Sequence, residues 1–213
     1  AADGKCSLIE AIINANDIVN GRPFTDCPAG DPAGGDTIVL PKKTFTLTAP
    51  YDTYYGDPTG LPLITSKITI AGNGAKITRS KNASAFRLMA VASTGDLELQ
   101  KVTLSGGSST GYYYGGGAIF NYGETTISNS TITGNTASLG GALANSGSLT
   151  LQNSTISSNT AKGTLNGQHY YGGQGGGVYN WYYGTLTITK STITGNKAIS
   201  GGGINNVGSM EIN

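Results

Sequence analysis

The sequence predicts an all-β fold, a parallel β-helix (a solenoid of coils about 24 residues long) with a short α-helical cap at its N-terminal end. Three observations point to it. A repeat runs through the C-terminal half, apolar residues alternate with Thr, Ser and Gln inside each repeat, and Gly and Asn recur at fixed places between the alternating runs. Glycine makes up 34 of 213 residues, while charged residues are only 12% and the net charge is +1. That balance excludes a basic nucleic-acid footprint and a polybasic membrane-surface module. No run approaches the ~18 apolar residues of a membrane helix, so no transmembrane segment is expected.

The chain reads as a single domain, with residues 1–35 as cap and 36–213 as coils. Two cysteines and one histidine cannot complete a four-ligand zinc site, and no metal site is expected there. Cys6 and Cys27 are therefore read as a disulfide, with two free buried thiols as the alternative. A bridge places the protein outside a reducing cytosol, in the extracellular space or on a cell surface. Ser7-Leu8-Ile9-Glu10 has the form of a capping box, and Leu8, Ile9, Ile12 and Ile13 continue at helical spacing, predicting a helix to about Val19.

Beyond the cap, Glu124–Gly147 and Thr185–Gly208 are similar and each span 24 residues. Ser148–Gly184 is a copy with an insertion, and Asp96–Gly123 is a looser copy. Asp36–Ser66 and Lys67–Gly95 share the strand spacing. No unit can bury its apolar side alone, but stacked units bury a continuous core at ~4.8 Å per coil. Leu97, Leu99, Val102 and Leu104 are expected to face inward with Leu149, Leu151, Ile156, Ile188 and Ile193. Two Asn columns follow, Asn135, Asn159 and Asn196 at one corner and Asn121, Asn145, Asn180 and Asn205 at another, both structural. The pairs Gly116-Gly117, Gly140-Gly141, Gly176-Gly177 and Gly202-Gly203 are expected to bend with positive φ. Ser209–Asn213 begins another turn, so the C-terminal coil is expected to be open, continued by more chain or paired with another subunit.

Cys6-Ser7-Leu8-Ile9-Glu10-Ala11 resembles the opening motif of the CSLREA-domain bacterial secreted β-helix proteins, with Ile9 in place of the usual Arg. Asp36-Thr37-Ile38, Gly72-Asn73-Gly74 and the later coils resemble the same group across nearly the whole chain. The coils also resemble repeats of polymorphic outer-membrane adhesins, through Gly116-Gly117-Ala118-Ile119 and Gly140-Gly141-Ala142-Leu143. The adhesins' Phe-x-x-Asn appears here as Ile132-x-x-Asn135, Ile156-x-x-Asn159 and Ile193-x-x-Asn196. The resemblance implies an exported, surface-associated right-handed β-helix, and it brings no catalytic residues.

Departures from the repeat carry the functional expectation. Pro50–Gly60, Ser108–Gly115 and Lys162–Gln174 read as insertions at one corner, and they hold eight of the 12 tyrosines: Tyr51, Tyr54, Tyr55, Tyr112, Tyr113, Tyr114, Tyr170 and Tyr171. Tyr122, Trp181, Tyr182 and Tyr183 cluster at the next corner. A shared corner projects its insertions to one side, and exposed aromatics favour a glycan or a surface protein as partner. The expected function is an adhesion or scaffold module using Tyr51, Tyr54, Tyr55, Tyr112–Tyr114, Tyr170, Tyr171 and Trp181, with no catalytic residues. One alternative is a polysaccharide lyase in which Lys162, His169, Tyr170 and Tyr171 supply acid–base chemistry. Another is a filament or surface-layer subunit that self-associates through the open C-terminal coil. Asp96 and Glu124 share a column but have no His, Arg or Asp cluster around them. No cofactor is expected, and Asp52 and Asp57 offer few ligands for calcium.

Overall fold

The computed structural model describes residues 4–16, 24–31, 35–111, 114–166 and 169–213. Its helix, Leu8–Asn16, begins where the capping box predicts. The Glu10 amide donates to Ser7 Oγ at 3.2 Å and the Ser7 amide donates to Glu10 Oε2 at 2.9 Å. The expected extension to Val19 falls outside the described residues. Leu8, Ile12 and Ala15 join the hydrophobic core. Asn16 fastens the helix to the first coil, its Nδ2 donating to the Leu63 carbonyl at 2.7 Å and its Oδ1 accepting from the Thr65 amide at 2.9 Å. Cys6 and Cys27 form the disulfide. The buried Asn14 side chain donates to the carbonyls of Phe24 and Pro28, holding that loop on the helix. Among the described residues one group of metal-type ligands forms, Glu10, Asp26 and Cys27, and its sulfur is committed to the disulfide. No described helix is long and apolar enough to cross a membrane.

From Asp36 the chain winds as a parallel solenoid of about six turns. We number them coil 1 (36–66), coil 2 (67–95), coil 3 (96–123), coil 4 (124–147), coil 5 (148–184) and coil 6 (185–208). Among the described residues every strand pair between coils is parallel, and the antiparallel pairs are confined to two hairpins, Asp52–Tyr54 with Asp57–Thr59 and Gly163–Asn166 with His169–Gly172. Three strand ladders line the coils, the first two joined in one sheet. Asp96–Gln100 in coil 3 pairs with Glu124–Ser128, which pairs in turn with Ser148–Gln152 and Thr185–Thr189. After the first corner Thr131–Thr133 pairs with Thr155–Ser157 and Thr192–Thr194. After two more corners, Ile119–Asn121, Leu143–Asn145, Val178–Asn180 and Ile204–Asn206 stack.

Alternation does the sorting. Leu97, Leu149 and Leu186 form one inward file and Leu99, Ile127, Leu151 and Ile188 the next, all buried. Thr125 interrupts the first file and meets the cost of burial by donating its hydroxyl to Asn121 Oδ1 at 2.8 Å. Three corners of each coil turn on a left-handed residue: Lys101, Asn129, Asn153 and Lys190 at the first, Gly106, Gly134, Ser158 and Gly195 at the second, Gly116, Gly140, Gly175 and Gly201 at the third. The positive φ in coils 5 and 6 thus falls on Gly175 and Gly201, one residue before the expected pairs Gly176-Gly177 and Gly202-Gly203. The residues that follow them meet a different demand. A Cβ on Gly117 would lie 2.5 Å from the Gly141 carbonyl, and one on Gly141 2.3 Å from that of Gly176.

The first Asn column forms as expected, Asn135 Nδ2 donating to Asn159 Oδ1 and Asn159 Nδ2 to Asn196 Oδ1. The second runs Asn121 to Asn145 to Asn180, each amide donating to the next at 2.7 Å, and ends on Asn206. Asn205 is therefore a correction: it pairs with Tyr179 on the outward side of the strand, while Ile204 on Val178 and Asn206 on Asn180 continue the inward files. Asn145→Ala strands the partners of a fully buried amide and is expected to cost about 2–3 kcal/mol, whereas Asn205→Ala costs less than about 0.5 kcal/mol. Urea unfolding of the two variants distinguishes them, and equal losses would contradict the register.

Candidate functional site

The residue after the second Asn column begins a corner that differs from coil to coil. Tyr122, Ser146, Trp181 and Val207 occupy it in coils 3 to 6, as the hydrogen bonds of the Ser146, Trp181 and Val207 amides to the Asn121, Asn145 and Asn180 carbonyls establish. Coil 5 then carries two extra residues, Tyr182 and Tyr183, before Gly184 closes the turn on the Trp181 carbonyl. Their rings meet edge to face at 5.0 Å and stand out from the solenoid, 70% and 86% exposed. One step earlier the outward positions are Phe120, Ala144 and Tyr179. Coil 4 therefore bears Ala144 and Ser146 where coils 3 and 5 bear rings, a trough between two aromatic ridges. The resulting groove, about 500 Å³, is lined by Tyr114, Tyr122, Ser146, Trp181, Tyr182 and Tyr183.

The ridge over coil 3 is assembled from three segments. The hairpin of coil 1 turns at Tyr55 and Gly56, both at positive φ, the form of a type I′ turn. It lays Tyr55 on Tyr114 with ring centroids 4.5 Å apart and nearly parallel planes, and brings it within 5.7 Å of Tyr122. Phe120 points outward from its strand yet is fully buried, because Tyr54, Tyr55 and Tyr114 close over it at 5.6–6.0 Å. Beneath lies Arg87, with no exposed surface. Its Nη2 pairs with Asp57 of the hairpin and donates to the Tyr114 carbonyl at 2.8 Å, its guanidinium lies 5.1 Å from the Phe120 ring, and Ser109 also donates to Asp57. One side chain of coil 2 thus ties together the coil 1 hairpin and the coil 3 insertion. Burial lowers the Arg87 pKa, opposed by the charge of Asp57. Burial also pushes the Tyr54 hydroxyl up to about 12, helped by Tyr55.

Of the residues expected to bind, Tyr54, Tyr55 and Tyr114 come together with Tyr122, and Trp181 faces them across the trough. Tyr51 sits elsewhere, bordering a depression beside Ile9 and Leu47. Tyr112 and Tyr113 lie outside the described residues, as do the side chains of His169, Tyr170 and Tyr171, whose backbone forms one strand of the coil 5 hairpin. Lys162 borders a separate hydroxyl-lined depression with Ser108, Ser109, Thr136 and Ser138. Asp52 accepts from the amides of Thr53 and Leu63, and Asp57 is taken by Arg87. Asp96 and Glu124 do stack, and Lys67 Nζ approaches Asp96 at 3.4 Å. Sequence reasoning passed over Arg87, Asp57 and Ser109 as a group. The available signal was a lone Arg inside the apolar run Phe86-Arg87-Leu88-Met89-Ala90-Val91.

The right-handed β-helix region family matches residues 64–213, well over half of the chain. The chain belongs to that family. No curated protein and no solved structure matches it. In this right-handed β-helix the sheets are generic, and the groove is where coils 3, 4 and 5 depart from one another.

Arg87→Met leaves Asp57 charged and buried without its partner and is expected to cost about 3–5 kcal/mol. Adding Asp57→Asn should return a large part of that loss in chemical denaturation. Tyr54 supplies a pH dependence. Its folded pKa lies above the ordinary value of 10.0, so its contribution is complete below pH 10 and disappears as pH rises to about 12. Melting temperatures across that window should fall more steeply for the wild type than for Tyr54→Phe.

Proposed function

We propose that this β-helix is a carbohydrate-binding module of the cell exterior that stacks sugar rings in the aromatic groove over coil 4. The observation that carries the reading is the juxtaposition of exposed aromatic ridges with a trough of small residues. Tyr and Trp present flat apolar faces with polar edges and few rotatable bonds, the combination that sugar rings and their hydroxyls call for. An exposed aromatic patch on a chain with so little charge calls for a partner. The Cys6–Cys27 disulfide and the likeness of Cys6–Ala11 to the CSLREA opening motif support export, and the likeness of the coils to adhesin repeats supports a role at a surface.

A glycan array followed by calorimetry on the hits tests this. Trp181→Ala and Tyr122→Ala are each expected to weaken binding about tenfold, roughly 1.4 kcal/mol, with melting temperature little changed. Failure to bind any glycan would remove the reading. Release of an unsaturated uronate product that vanishes on His169→Ala would replace it with the lyase.

A further inference from the structure

We infer that the groove selects a single neutral pyranose unit whose two faces are both apolar, a gluco- or xylo-configured residue held between Tyr122 and Trp181. This rests on the carbohydrate reading and narrows it to one class of sugar.

The spacing of the solenoid sets the width of the slot. Tyr122 and Trp181 belong to coils 3 and 5 and follow Asn121 and Asn180, which stack through Asn145. Their backbone positions are therefore two strand spacings apart, about 9.5 Å. A ring in van der Waals contact with both walls needs about 3.5–4 Å on each side, or 7–8 Å in all. One ring fits between the walls and two do not. Ser146, between them in coil 4, leaves the slot open and places a hydroxyl at its floor.

Contact on both sides restricts the chemistry. In an all-equatorial β-pyranose the axial positions of both faces carry hydrogen, and the hydroxyls radiate from the rim toward the floor and solvent. An axial hydroxyl, as at C4 of a galacto-configured ring, would press a polar group against an aromatic face with no hydrogen-bond partner. Charge complementarity disfavours uronates, since none of the six described residues lining the groove is ionic. The buried cation beneath this face, Arg87, is screened by Phe120 and already paired with Asp57.

The chain's one tryptophan is Trp181, so its fluorescence reports occupancy directly. Cellohexaose, xylohexaose, β-1,4-galactohexaose and hexagalacturonate are titrated in turn, with calorimetry alongside. The gluco- and xylo-configured oligomers are expected to shift Trp181 emission and bind at least about tenfold tighter than the galacto-oligomer, with the uronate silent. Ser146→Phe fills the slot and should abolish binding at unchanged melting temperature, and Ser146→Leu does the same by a smaller step should the ring disturb the coil. Equal affinity for the galacto-oligomer or the uronate, or full binding by both Ser146 variants, overturns this specificity while leaving a carbohydrate-binding protein. Binding of none of the four, with glycan-array hits elsewhere, also overturns it, and silence on the whole array removes the carbohydrate reading itself.

Discussion

Register between coils is the constraint on which everything else in this molecule depends. A parallel solenoid gains its core only if each turn of chain comes to rest directly over the previous one, because a slip of one residue would turn Leu97, Leu149 and Leu186 from the interior to solvent. Two buried asparagine ladders hold that register. Besides donating to one another, Asn121, Asn145 and Asn180 donate to the carbonyls of Ser148, Thr185 and Ser209, each the first residue of a strand in a later turn. Left-handed residues let three corners of each coil close, and glycines such as Gly117 and Gly141 let consecutive corners touch.

A fold this regular can build a unique site only by making neighbouring coils differ. Here the difference is one of size. Coil 4, at 24 residues, keeps to the repeat and has small side chains on and just after its last strand, whereas coils 3 and 5 place Phe120, Tyr122, Tyr179 and Trp181 there. The aromatic ridge over coil 3 would collapse or splay if left to its own contacts, since a short hairpin is marginal by itself. Arg87 prevents this by spending its charge on Asp57 and a second hydrogen bond on the Tyr114 carbonyl. A buried ion pair is a poor source of net stability but a good source of uniqueness, because few other arrangements satisfy it. We regard it as the device that positions Tyr55 and Tyr114.

Much of this was legible in the letters. The capping box, the disulfide, the coil boundaries and the inward files all follow from short-range pattern or from a fixed period, and they appear where the pattern puts them. The last coil shows how strictly the period must be applied. Overlaying Glu124–Gly147 on Thr185–Gly208 without a gap sets Gly201 on Gly140 and Asn206 on Asn145, so placing Asn205 in the column departs by one residue from the repeat itself. Packing agrees with the gap-free overlay, since Ile204 continues the file of Val178 and Leu143, which leaves Asn205 pointing outward.

What the sequence by itself determined is the solenoid, because stacking equivalent residues is a one-dimensional property that a repeat spells out. The tertiary structure alone decided which aromatics meet. Asp57, Arg87 and Ser109 lie in three different coils, in stretches that obey no period, and Tyr55 reaches Tyr114 only because that buried charge pair draws two insertions together. Contacts of that kind depend on three-dimensional closure and on the high cost of leaving a buried charge unpaired, and neither is written in the spacing of residues along the chain.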